Sequence, residues 1–258
     1  MTPSDALIAL RANAPLVHCI TNYVAMNIAA NTLLAAGASP AMIHAEEEVV
    51  DFTPLAGALT INIGTLSASW VRGMLLAAKT AIASDVPWVF DPVAHFTTPY
   101  RSRVAQELLS LRPTILRGNA SEILALAGEA GTGKGADSGD RVEDAHAAAQ
   151  TLAQTYGAVV AVTGPIDFLT DGVRTAQLSG GSDLMPKVTA LGCALTALMG
   201  GYVAVAPAFD AALASLAHFK VAGSRAAIGA AGPGSFQVRF LDALTAVQPA
   251  DLQQAILP

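Results

Sequence analysis

The stretch Thr189-Ala190-Leu191-Gly192-Cys193-Ala194-Leu195-Thr196 has the layout of an anion site, because a short Thr/Gly lead opens into an apolar run through Met199 toward Ala206. The first N–H groups of a helix lack intrahelical partners and carry the positive end of the dipole, so they attract phosphate or a developing oxyanion. Cys193 falls in that field, which predicts a stabilised thiolate able to act as base or nucleophile. The competing account is a packed thiol, since free cysteines are commonly buried as small hydrophobes. Four further polar groups each follow a predicted strand: Asn62-Ile63-Gly64-Thr65, Asp91-Pro92, Arg117-Gly118-Asn119 and Thr163-Gly164. One such group is usually a cap or turn. Caps alone would not require Asp91, Arg117 and Glu122 to converge on the helix start that holds Cys193. In open α/β sheets the carboxyl edge of the strands is where ligands bind.

The elements that must position these groups alternate. Helical spacing covers 22–36, with Asn22 as N-cap and Gly37 as stop. Strands are expected at 40–44, 58–63, 87–90, 113–116 and 158–162, and helices at about 67–84, around Glu122 and at 142–156. Glu46, Glu47 and Glu48 open another helix, where acidic residues favour the positive end. Asp171-Gly172 joins 167–170 to 173–178 as a hairpin. From Thr189 onward the chain reads as helical, broken at Gly232-Pro233-Gly234. This order predicts a mostly parallel sheet covered on both faces.

Composition limits what such a chain can do. With 258 residues, 53% hydrophobic and 13% charged, it can bury a large core, and a single domain over 1–258 is expected. A formal charge of −6 without any Lys/Arg cluster excludes a nucleic-acid surface. Cys19 and Cys193 form neither a metal set nor a disulfide framework, which points to a reducing, cytoplasmic setting. No residue of 188–209 is charged, yet its glycines, threonines and Pro207 suit a buried helix rather than a membrane span. The first residues, MTPSDALIALRANAP, place Asp5 ahead of a weak apolar stretch without a basic leader, so no signal peptide is expected. Gly128 to Lys134 matches the first part of a P-loop, but Gly135 stands where Ser or Thr should take the magnesium and no strand precedes it. A glycine-rich surface loop, able to close over a site, is the expectation there.

The segments Val17-His18-Cys19-Ile20-Thr21-Asn22-Tyr23-Val24-Ala25-Met26-Asn27, Gly37 to Val49, Asn62-Ile63-Gly64-Thr65-Leu66, Arg117-Gly118-Asn119-Ala120-Ser121-Glu122-Ile123 and Gly232-Pro233-Gly234-Ser235-Phe236-Gln237 resemble the hydroxyethylthiazole kinase family, in the family's order from about Pro15 to Leu244. The resemblance implies a three-layer α/β/α ribokinase-like fold with a mostly parallel central sheet. It implies transfer of the γ-phosphoryl of ATP, with magnesium, to the primary alcohol of 4-methyl-5-(2-hydroxyethyl)thiazole in thiamine salvage. It also implies a homotrimer with sites between subunits.

Carried over by position, the resemblance assigns Asp91 and Glu122 to the metal, and Arg117, Asn119 and Thr163 to ATP. Met42, Asn22 and Gly64 fall to the thiazole pocket, Ala190 and Gly192 to the substrate side of the phosphoryl site, and Cys193 to the position where related kinases carry an Asp base. Two departures stand out. Ala190 replaces the first glycine of the family's Gly-x-Gly-Cys, where a positive φ would strain it, and Phe96 stands where a glycine is usual. The alternatives are a ribokinase-like kinase of another hydroxymethyl heterocycle, a pyrimidine or pyridoxal, and a ligand-binding module without turnover.

Overall fold

Local signals start the elements and the sheet collects them. In the computed structural model, which describes residues 1–129 and 139–258, helix α1 (Pro3–Asn13) begins at Thr2. The Thr2 hydroxyl accepts from Asp5 N while the Asp5 carboxylate accepts from Thr2 N, a reciprocal cap. There follow β1 (Leu16–Ile20), α2 (Met26–Ala36), β2 (Ser39–Ala41), α3 (Val49–Phe52), β3 (Ala58–Asn62), α4 (Ala68–Ala83) and β4 (Trp88–Asp91). Next come α5 (Pro99–Ser110), β5 (Ile115–Asn119), α6 (Ala120–Leu126), α7 (His146–Tyr156), β6 (Val159–Thr163), β7 (Asp167–Thr170) and β8 (Thr175–Leu178). Three helices end the chain: α8 (Leu191–Val203), α9 (Ala208–Ala227) and α10 (Pro233–Ala246).

The sheet order is β2-β1-β3-β4-β5-β6-β7-β8, parallel as far as β6 and antiparallel beyond. Because β1 pairs with β2 on one side and β3 on the other, the winding reverses there, and a crevice opens at the carboxyl edge. Side chains alternate strictly between the faces. Val17, Cys19, Ala58, Val89, Ile115 and Ala161 pack toward α1, α2, α8, α9 and α10, whereas Ile20, Leu59, Ile61, Phe90, Leu116 and Val160 pack toward α4, α5, α6 and α7. Helix α8 lies directly on the sheet: a Cβ at Gly200 would run into Thr60 and Val17, so glycine is what permits the approach.

Several expectations change in detail. Strand β1 was not anticipated, because Leu-Val-His-Cys-Ile is too short for its period to show. The strand at 40–44 shrinks to β2, which is half-buried rather than buried. The helix expected from Asn22 starts at Met26; Asn22 instead heads a turn, its Oδ1 accepting from Val24 N and Ala25 N. Gly37 is the expected stop, at φ 108°. Glu46 and Glu47 lie in the turn before α3, where Glu46 pairs with Arg72 of α4. The 142–156 helix opens as a 3₁₀ turn, and the hairpin turn takes in Val173 and Arg174, whose N–H groups donate to Asp171 Oδ1. Among the described residues no helix is long and apolar enough to cross a membrane. The P-loop-like stretch lies, from residue 130 onward, outside the described residues.

Candidate active site

Parallel register brings the strand-end residues side by side, Asn62 opposite Asp91 and Asn119 opposite Thr163. Asn22, just past β1, has its Oδ1 held by two backbone N–H groups, so its Nδ2 is turned to Asn62 Oδ1 at 2.8 Å and to Cys193 Sγ at 3.4 Å. Asn62 also accepts from Gly64 N and donates to Asp91 Oδ2 at 2.8 Å. Thr196 of α8 donates to the same oxygen at 2.7 Å, and Arg117 Nη1 lies 3.3 Å from it. Asp91 Oδ1 is buried without a hydrogen-bond partner among the described residues. A Cβ on Gly64 would sit 2.5 Å from Asn22 Nδ2, so the turn after β3 has room only for glycine.

On the other side, Arg117 Nη2 donates to Thr163 Oγ1 at 2.6 Å. The guanidinium lies across Gly192, where an added Cβ would come within 2.8 Å of both terminal nitrogens. Asn119 and Glu122 form a reciprocal cap on α6: Asn119 Oδ1 accepts from Glu122 N, and Glu122 Oε2 accepts from Asn119 N. Glu122 Oε1 accepts from Ala94 N at 2.9 Å. The Asn-x-x-Glu spacing is thus a helix cap, with a second lone pair on each carboxylate oxygen left for other work.

Burial sets the electrostatics. It pushes the Glu122 carboxyl up to about 7, helped by the neighbouring negative charge of Asp91 and opposed by Arg117. Asp91 is also pushed up by burial, against the pull of Arg117, Thr196 and Asn62. The thiolate expected at Cys193 is a misreading of this balance. Burial and then Asp91 push the thiol up to about 11, and Arg117, Asn22 and Asn62 do not offset them. At neutral pH the group is a thiol. Ala190 does take a positive φ, at 61°, the conformation that would strain it. In the loop after β4, the left-handed residue is Ala94, at φ 50°, while Phe96 packs edge-on to His95 in a 3₁₀ turn.

These groups frame a cavity of about 790 Å³. Asn22, Gly64, Cys193, Arg117, Asn119, Glu122, Thr163, Ala190 and Gly192 are all among its lining residues. Asp91 lies fully buried and reaches the cavity's residues through its hydrogen bonds. Met42 is not among the lining residues; it follows β2 and packs partly against the core. Asn62 was expected at the ligand edge but without a partner, and Thr196, Arg101 and Lys220 carried no assigned role. Lys220 Nζ donates to Gly164 O and Pro165 O and pairs with Asp167 at 3.2 Å, fixing the turn after Thr163. A lysine between Phe219 and Val221 was a signal available in the sequence. Among the described residues no group of three His, Cys, Asp or Glu could cage a metal. Two neighbouring carboxylates, of which Asp91 has a buried oxygen without a partner among the described residues, suit a hard cation held jointly with phosphate oxygens and water.

The sequence profile of the hydroxyethylthiazole kinase family matches residues 7–250. A hydroxyethylthiazole kinase from Roseobacter denitrificans is 68% identical over 256 residues, covering 99% of this chain and 100% of that protein. The solved structure of hydroxyethylthiazole kinase protein from Pyrococcus horikoshii is 39% identical, with a TM-score of 0.91 over 99% of both chains. A ribokinase-like superfamily protein from Enterococcus faecalis shares the fold, with a TM-score of 0.66 at 13% identity over 95% of both chains. The expected three-layer α/β/α ribokinase-like architecture is borne out.

Proposed function

The chain belongs to the hydroxyethylthiazole kinase family, and from that premise we propose that residues 1–258 act as one kinase domain that phosphorylates the primary alcohol of 4-methyl-5-(2-hydroxyethyl)thiazole from ATP, in thiamine salvage. One observation carries the assignment to this cavity. At the first turn of α8 an amide–thiol pair, Asn22 with Cys193, shares one cavity with Arg117, Asn119 and Thr163.

In this reading Arg117 and Thr163 take the triphosphate, and Asp91 and Glu122 would hold magnesium, which would supply charge neutralisation at the phosphates. The N–H groups opening α8 receive the transferring phosphoryl. The alcohol oxygen bonds to the γ-phosphorus as the bond to the ADP oxygen breaks. Cys193, held by Asn22 Nδ2 and neutral, orients the hydroxyl. The hydroxyl proton leaves late, to an oxygen of the transferred group, as a loose transition state allows. ADP release measured with and without the thiazole alcohol tests the assignment. Turnover that ignores the alcohol, or that prefers pyridoxal or a hydroxymethylpyrimidine, would overturn it.

We extend the reading to assembly. Met42 lies off its own cavity, and Tyr23 and Val24, which follow the neighbouring strand, are 65% and 57% exposed. In a homotrimer a second copy would cover this apolar edge, and Met42 would complete the neighbour's pocket with a polarizable thioether. Both cysteines are free, which supports a cytoplasmic setting.

A further inference from the structure

Arg101 reaches from the first turn of α5 across the ends of β3 and β4. Its Nη1 donates to Ile63 O and to Val93 O, both at 2.9 Å, and its Nη2 donates to Gly64 O. Its side-chain partners among the described residues are these carbonyls, so a half-buried guanidinium is answered by peptide dipoles and not by a carboxylate. Burial accordingly lowers its proton affinity from the ordinary arginine value.

The carbonyls belong to peptide units whose other ends are also occupied. Ile63 C=O shares a peptide plane with Gly64 N–H, which donates to Asn62 Oδ1 at 2.9 Å. Val93 C=O shares one with Ala94 N–H, which donates to Glu122 Oε1 at 2.9 Å. Each plane is therefore pinned between Arg101 on its oxygen and a site side chain on its nitrogen. A cation on the carbonyl polarises the amide and strengthens the hydrogen bond given by its N–H. The Val93–Ala94 plane needs this most, because Ala94 is held at φ 50°, a conformation an alanine does not choose unaided.

We propose that Arg101 is a positioning residue for the phosphoryl transfer, holding the alcohol-side Asn62 and the cation-side Glu122 in one register through the Ile63–Gly64 and Val93–Ala94 peptides. The assignment rests on the kinase reading above. Arg117 and Thr163 stand on β5 and β6, outside this clamp, so their contacts to ATP do not pass through it.

The test uses Arg101→Ala, Arg101→Met and Arg101→Lys in the full chain. In Arg101→Met we expect kcat to fall roughly 10- to 100-fold, the loss typical of sub-ångström misplacement. The KM for the alcohol should rise, and any rise in the KM for ATP should stay below the roughly tenfold expected on losing the Glu122 charge, because Arg117 and Thr163 are undisturbed. Methylguanidinium should restore part of kcat to Arg101→Ala, which leaves a space for it, and none to Arg101→Met, which fills that space. Amide hydrogen exchange gives a readout free of turnover: Gly64 and Ala94 should lose protection together while the strand amides of β3 and β4 keep theirs. Wild-type kinetics and retained protection in Arg101→Met would overturn the proposal, as would loss of protection across both strands with no rescue. Should Arg101→Ala fail to fold, the exchange measurement on Arg101→Lys decides. If the unaltered protein shows no alcohol-dependent turnover, the kinase reading falls while exchange still judges the clamp.

Discussion

Lowering the pH from 8 to 6 should weaken magnesium–nucleotide binding by about tenfold, through Glu122. Its carboxyl is pushed up to about 7 by burial and by Asp91. Roughly nine molecules in ten then carry it ionised at pH 8 and roughly one in ten at pH 6, a difference worth about 1.3 kcal/mol of binding if only the ionised form accepts the cation. The folded protein without ligand should follow the opposite trend. A carboxyl with a raised folded pKa binds more protons folded than unfolded between the ordinary carboxylate range and about 7, so its contribution to stability is present in acid and is lost as pH rises through 7. Calorimetric titration of a non-hydrolysable ATP analogue with magnesium, at pH 6, 7 and 8 in buffers of different protonation enthalpy, reads both affinity and proton release. Glu122→Gln is the control that leaves only the nucleotide's own titration: it should reduce the slope to that remainder, lower kcat strongly and leave alcohol binding intact. It should also cost about 1 kcal/mol of stability, because an amide cannot accept from both Ala94 N and Asn119 N. A flat affinity across this range, or the same slope in Glu122→Gln, would refute the reasoning.

Gly64→Ala should drive a Cβ onto the pinned Asn22 amide, costing about 1–3 kcal/mol of overpacking that appears as lost alcohol affinity with ATP affinity unchanged, read by calorimetry. Ala190→Gly should relieve the left-handed Ala190 and raise Tm by about 1–3 °C, net of glycine's entropy; a lower Tm would show that the strain is not there. Cys193→Ala should lose about 100-fold in kcat with the KM for ATP little changed, and Cys193→Ser, which keeps a hydroxyl to orient the alcohol, should fall between. Steady-state rates check this, and Ser no better than Ala would count against an orienting role. Light scattering at micromolar concentration should give a trimer, and Met42→Ala should raise the KM for the alcohol without changing that mass.

The strand-end polar groups were legible because each follows a short apolar run, and parallel pairing then sets Asn62 beside Asp91 and Asn119 beside Thr163 with no further information needed. Asn22 was legible as a polar residue near a helix start but not as the head of a turn, since the same oxygen can cap either. The thiolate was misjudged for a different reason. Sequence shows a helix N-terminus, and it does not show that the thiol beside it is buried next to Asp91. Arg101 was invisible because its partners are backbone carbonyls, two of them 37 and 38 residues away, and an arginine early in a helix reads as a solvated charge; Lys220 showed its burial in its apolar neighbours but not its partners, which are far along the chain.

The same electrostatics give a reason for sulfur at position 193. Asp91 and Glu122 already share Arg117 in a space from which water is largely withdrawn, and the pair retains a proton near neutrality. A third carboxylate at 193 would face Asp91 across Asn22 and Asn62, raise the carboxyl values further, and compete with the phosphates for Arg117. A thiol avoids this. It stays uncharged at neutral pH, accepts from Asn22 Nδ2, and leaves the positive end of α8 to the transferring phosphoryl. The arrangement exchanges a strong base for an uncontested anion site, which suits a reaction whose transition state asks more of charge placement than of proton removal. Cys193→Asp should therefore run poorly at pH 7 and recover toward pH 8.5, as the enlarged carboxylate cluster gives up its proton.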